Sequence, residues 1–324
     1  MKEKFRVARE FICFYLALPL FVLMFLVAGV SAAGISEGAN EYDVTHPSIK
    51  EEAVAVSAEI ESEVFVGEGS FPIVARDLSK DYDVLNSTSI TPDEEGLLKR
   101  ALPYPYKEGV PLVLVVHTHA TESYADEDES FVTPDEKGNY GFYTNDSKTR
   151  SSDTEKNIVA VGEVFCTVLS ENGIGVIQCR TLNDEGDYNN AYTNSRKEIL
   201  KYLEKYPSIK YVVDIHRDSL VANDGKKTKT LASLDEPCAQ VMFVSGTIFN
   251  GWENNLSVAL KIKKVMDEKY PSLSRPIYLR NSKYNLDLTK GSLLLEIGTC
   301  ANTLDEAKRA AELAAECFAE VIKQ

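Results

Sequence analysis

Beyond residue 109 the chain alternates short apolar runs with stretches of helical periodicity. Residues 112–116 form an unbroken apolar run that reads as a buried strand. The next segment places Ile158, Val161, Phe165, Val168 and Leu169 on one face, which predicts a helix over 155–172 with Gly173 as its stop. The pattern continues with a strand at 175–179, a polar helix over 188–206 ended by Pro207, and strands at 211–215 and 241–244. A helix over 252–270 ends at Pro271, a strand follows at 293–297, and a helix over 303–323 opens on Thr303 and Glu306, the spacing of a capping box. This alternation predicts an α/β domain over 109–324, a mainly parallel twisted sheet with helices on both faces. Two long polar segments, 120–154 and 217–238, each follow a strand, and long loops inside a domain are more often functional than accidental.

The front of the chain has a different pattern. Residues 11–36 carry no charge and are almost wholly apolar through Val30, while Lys2, Lys4, Arg6 and Arg9 precede them. A bilayer span needs about 20 apolar residues, and a cleavable signal has a shorter apolar core of about 7–15, so the pattern predicts an uncleaved anchor over 11–31 behind a cytoplasmic tip, 1–10. Val30-Ser31-Ala32 also satisfies the small-residue cleavage pattern. With positive residues ahead of the span, the remainder is expected on the far side of the cell membrane, in the wall space or between membranes. Residues 35–70 hold nine acidic residues against one Lys and few large apolar groups, which reads as an acidic stalk. The region 32–108 as a whole is expected to be stalk and membrane-proximal linker, with a short helix after Asp93 and an extended approach at Pro103 and Pro105.

Composition changes the picture in two ways. The net charge of −15 over 324 residues, with no Lys/Arg run to offset it, argues against nucleic acid as a partner. Of six cysteines, Cys13 falls in the anchor and the other five show no C-x-x-C spacing, so they read as core residues.

Candidate chemistry gathers at strand ends. His117 and His119 follow the strand at 112–116, His216 follows the one at 211–215, and ligands of open parallel sheets bind at the carboxyl rim. Glu155 opens the helix after the first long loop. Glu296 lies inside the run Leu293-Leu294-Leu295-Glu296-Ile297, where a carboxylate needs a cation, a metal or a donor as partner. Neutral imidazole and carboxylate are the ligand set of a catalytic zinc ion. There is no G-x-S-x-G and no H-E-x-x-H, the G-K-K-T at Gly225 lacks the earlier glycine of a phosphate loop, and Gly67-Glu68-Gly69 sits in no βαβ unit.

Four runs carry a resemblance: 117–124 (His-Thr-His-Ala-Thr-Glu-Ser-Tyr), 214–218 (Asp-Ile-His-Arg-Asp), 240–246 and 295–298, joined by 252–255 and 270–276. In this order they closely resemble the stage II sporulation protein P family over roughly 109–324. The resemblance implies peptidoglycan remodelling during engulfment in endospore-forming bacteria, and similarity to zinc-dependent N-acetylmuramoyl-L-alanine amidases. Carried over by position, it implies Zn2+ held by His119, Glu155 and His216, with Glu296 as the catalytic acid. His117 stays open as a rival to His119, and Glu122 as an alternative to Glu155. Arg217 or Asp218 would orient a ligand, contact the stem peptide or form a structural ion pair. The resemblance also implies cleavage at peptide cross-links and two partners, stage II sporulation proteins D and M. A silent peptidoglycan-binding or scaffold module is the alternative to the enzyme.

Overall fold

The computed structural model describes residues 73–125, 149–222 and 227–324. The expected anchor and acidic stalk, and most of the polar segment 120–154, lie outside the described residues. Among the described residues no helix is long and apolar enough to cross a membrane.

The domain is built on a seven-stranded sheet. Its strands are β2 (Val84–Asn86), β3 (Pro111–Val116), β4 (Gly175–Gln178), β5 (Tyr211–Asp218), β7 (Val241–Gly246), β8 (Ile277–Arg280) and β9 (Gly291–Thr299), in the order β2-β8-β7-β9-β5-β3-β4. Every neighbouring pair is parallel except β7 with β9. The sheet is therefore mixed rather than mainly parallel: three strands run against the other four. The apolar runs carry no record of direction, which is why the sequence pattern missed the reversal. A second, two-stranded parallel sheet pairs β1 (Ile73–Arg76) with β6 (Lys227–Thr230).

Period-two alternation divides the core between the two faces. Val113, Val115, Val213, Ile215, Leu293, Leu295 and Ile297 pack into one cluster with α2 (Ile158–Glu171), α4 (Trp252–Lys269) and α5 (Leu304–Ile322). Leu114, Val116 and Val212 point the other way, against Ile199 of α3 (Ala191–Lys205), and Met242, Val244 and Leu294 meet Leu286 in the β8–β9 connection. Helices therefore cover both faces, as the alternation predicted. Thr303 and Glu306 form the expected capping box of α5. Helix α2 starts three residues later than the periodicity suggested, because the Asn157 side chain caps it by accepting from Val159 N–H.

Residues 73–108, expected as linker, are part of this body. Strand β2 is an edge of the main sheet, β1 pairs with β6, and in α1 (Glu94–Lys99) Leu97 is buried in the main core. The expected short helix after Asp93 is α1, with the Asp93 carboxylate accepting from Gly96 N–H as its cap. Cys179, Cys238, Cys300 and Cys317 are buried and Cys166 is half-buried, in keeping with core roles.

Candidate metal centre

The site forms on the α3 face at the rim of the sheet. His216 of β5 stands in register with Glu296 of β9, and Glu296 with Met242 of β7, so the two functional side chains are neighbours on the same face. Asp214, two residues before His216, shares that face. His119 lies just past β3 in a tight turn closed by Glu122 N–H donating to the His119 carbonyl. The rings of His119 and His216 meet edge to face with centroids 5.5 Å apart.

Glu122 joins the same cluster. Its Oε2 lies 3.5 Å from His216 Nδ1 and accepts from Arg217 N–H at 3.1 Å. Burial would raise its pKa, but the His216 imidazole and the Arg217 and His119 charges outweigh that and hold the carboxyl well below the usual range. Burial likewise would depress His216, yet Asp214 and Glu122 on either side push its pKa well above the ordinary value. Glu296 is the opposite case. Burial dominates and, with Asp218 and Glu122 nearby, raises its pKa to about 8 against the pull of His216.

The other expected residues separate by position. His117 occupies an odd position and faces the helices. Its Nδ1 lies 3.1 Å from the Ile215 carbonyl and its Nε2 3.1 Å from Gln178 Nε2, and burial lowers its pKa to about 4. It is a satisfied core histidine. Glu155 precedes α2 in a turn in which its N–H donates to Asp153. Its side chain is 75% exposed and 3.5 Å from Arg180, so the structure does not bring it to the histidines, and Glu122 stands there instead. Arg217 donates to the Ser123 carbonyl and to the Thr149 carbonyl and hydroxyl, pinning both ends of the long loop. Asp218 pairs with Arg275 at 2.8 Å.

Several site residues had no assigned role in the sequence. Asp214 lies 3.1 Å from His216 Nε2, a contact that strand alternation could have signalled. Asp184 lies 3.8 Å from His119 Nδ1, and Arg150 pairs with Asp184 at 2.9 Å. Tyr188 stacks on His119 and Tyr192 on His216. Asp184 and Arg150 come from segments with no pattern of their own, and Tyr188 and Tyr192 open the polar helix predicted over 188–206, whose pattern does not mark them.

The cluster suits a cation. Carboxylates of Glu122, Asp184, Asp214 and Glu296 surround two imidazoles. His119 Nδ1, His216 Nε2 and Glu296 Oε2 are buried without a hydrogen-bond partner among the described residues. Among the described residues no three His, Cys, Asp or Glu side chains are drawn together closely enough to hold a metal as they stand. The donor set of His119, Glu122 and His216 fits zinc in its chemistry.

A family model described as stage II sporulation protein P matches residues 36–319. A stage II sporulation protein P of Bacillus subtilis (strain 168) is 35% identical over 221 residues, 65% of this chain and 51% of the relative. The chain thus spans about half the length of that curated relative. Among solved structures, the N-acetylmuramoyl-L-alanine amidase AmiC2 of Nostoc punctiforme is 14% identical with a TM-score of 0.35, over 65% of this chain and 94% of its own. The catalytic domain of the amidase CwlV from Bacillus (Paenibacillus) polymyxa var. colistinus is 15% identical with a TM-score of 0.35, over 65% and 98%. Likeness this distant assigns no activity.

Proposed function

This chain belongs to the stage II sporulation protein P family, and from that premise we propose that it is a zinc-dependent hydrolase of the N-acetylmuramoyl-L-alanine amide in peptidoglycan. Its setting would be the septal wall during engulfment, reached from a membrane anchor, with cleavage of peptide cross-links and stage II sporulation proteins D and M as further expectations of the family resemblance. The observation that carries the reading is the meeting of His119, Glu122, His216 and Glu296 at one buried rim, with Glu296 Oε2 unpaired.

In this reading His119, Glu122 and His216 hold the metal. When bound, zinc would lower the pKa of a coordinated water toward ~7 and polarise the scissile carbonyl. Glu296 takes the proton of the attacking water on its free oxygen and returns it to the leaving amine. Burial holds the Glu296 carboxyl above its ordinary pKa in the metal-free site, and a bound cation would draw it back toward the ionised form that accepts a proton. Tyr188 and Tyr192 wall the histidines from bulk water. Arg217 does its work at the loop ends rather than on substrate, since its guanidinium is already engaged there.

The test is digestion of purified sacculi by the full chain and by Glu296→Gln, with bound zinc measured in parallel. The wild type should release free stem peptides. The variant should retain zinc and lose release by at least ~10²-fold. Zinc binding by the wild type without release of stem peptides would overturn the amidase reading and favour a silent binding module.

A further inference from the structure

Two aspartates at the site are held in the same way. Asp184 accepts from Thr121 N–H at 3.0 Å through Oδ1 and from the Thr121 hydroxyl at 2.6 Å through Oδ2. Asp214 accepts from Thr118 N–H at 2.9 Å through Oδ1 and from the Thr118 hydroxyl at 2.5 Å through Oδ2. Both threonines belong to the turn that carries His119 and Glu122. Arg150 donates to Asp184 at 2.9 Å, and the Ser195 hydroxyl lies 2.8 Å from that of Thr118. The side chains of both aspartates are almost fully buried.

Each fixed carboxylate faces one histidine. Asp184 Oδ2 lies 3.8 Å from His119 Nδ1, and Asp214 Oδ1 lies 3.1 Å from His216 Nε2. Among the described residues neither nitrogen has an aligned hydrogen bond, and the facing carboxylate is the acceptor nearest to hand for each. An imidazole offers one nitrogen as donor and keeps the other for a ligand, and a carboxylate on the donor side selects the tautomer and fixes the ring plane. His216 Nδ1 is then the nitrogen left beside Glu122, which it faces at 3.5 Å.

We infer that Asp184 and Asp214 are positioning residues: clamped by Thr121 and Thr118, each accepts a hydrogen bond from the N–H of one histidine nitrogen and so aims that ring's other nitrogen into the site. Glycine-free and short, the 117–122 turn thereby supplies two of the three donors, His119 and Glu122, and both clamps that orient the histidines. This inference rests on the zinc reading for its purpose but not for its geometry.

The experiment measures zinc affinity of the full chain by competition with a chelator, for wild type, Asp184→Asn, Asp214→Asn, Thr121→Val and Thr121→Ser. Each Asp→Asn change should weaken zinc about 10- to 100-fold with the fold intact by circular dichroism. Thr121→Val, which removes the hydroxyl half of the clamp and leaves its N–H bond, should weaken it less, and Thr121→Ser, which keeps the hydroxyl, should restore it. Affinities of both Asp→Asn variants within twofold of wild type would overturn the inference. If the wild type binds no zinc, the functional reading fails, and the positioning is read instead from histidine 15N spectra of the metal-free protein. There His119 should be a single Nδ1–H tautomer that becomes mixed in Asp184→Asn or, should that variant not fold, in Thr121→Val. Unchanged spectra would overturn it.

Discussion

His117 and His119 are two residues apart and have opposite fates. Residue 117 continues the alternation of β3 and turns its ring into the helix-covered face. Residue 119 lies past the last ladder pair, where the chain turns and parity no longer binds it. His119→Ala should therefore abolish zinc retention with little loss of stability, whereas His117→Ala should keep zinc and lower the melting temperature. Metal analysis and thermal melts of the same samples decide this, and the reverse pattern would show that the wrong imidazole was chosen. A matching contrast separates the carboxylates. Glu122→Ala should lose zinc and stem-peptide release together, while Glu155→Ala should leave both unchanged, because its exposed side chain faces Arg180 and, among the described residues, not the histidines. Loss of zinc in Glu155→Ala alone would restore it as the ligand.

Helix α2 illustrates what an element must satisfy beyond its own periodicity. Its apolar face was legible in Ile158, Val161, Phe165 and Leu169, all fully buried as expected. Gly162 has another role: a Cβ there would meet His117 Cε1 at 2.4 Å and Gln178 Nε2 at 2.8 Å. Gly162→Ala gains helix propensity of about 0.5–1 kcal/mol but forces overpacking of about 1–3 kcal/mol, so it should lower stability. A chemical denaturation midpoint equal to or above wild type would contradict this packing account. Elements with long apolar runs were all legible. The short strands β1, β2, β6 and β8, of three or four residues each, carry too little pattern to stand out from loop. The direction of β7 was illegible for a different reason, since strand polarity is a property of the connections rather than of the run.

On the scale of the whole domain, residues just before the 109–324 segment are tied to its centre. Asp77 accepts from Gln240 Nε2 at 2.7 Å and from Ser233 and Ser79, and Gln240 in turn accepts from Leu78 N–H next to β7. Burial would raise the Asp77 pKa, but these hydrogen bonds win and hold it below its ordinary 3.8. A depressed carboxylate stabilises the fold above its unfolded pKa, and that contribution fades as pH falls through 3.8 to the folded value. Asp77→Asn should thus melt earlier than wild type at pH 7, with the gap closing below about pH 4. A gap independent of pH would remove the carboxylate's charge from the account. By itself the sequence determined the α/β class, the strands and helices with long periodic runs, and the gathering of His117, His119, His216 and Glu296 at strand ends, because hydrophobic spacing and a carboxylate in an apolar run are local facts. Only the tertiary structure placed Glu122 rather than Glu155 beside His216, turned His117 into the core, and brought Asp184 and Arg150 beside His119. Those outcomes depend on which way a chain leaves a turn and which distant loop it meets, and no spacing along the sequence records that.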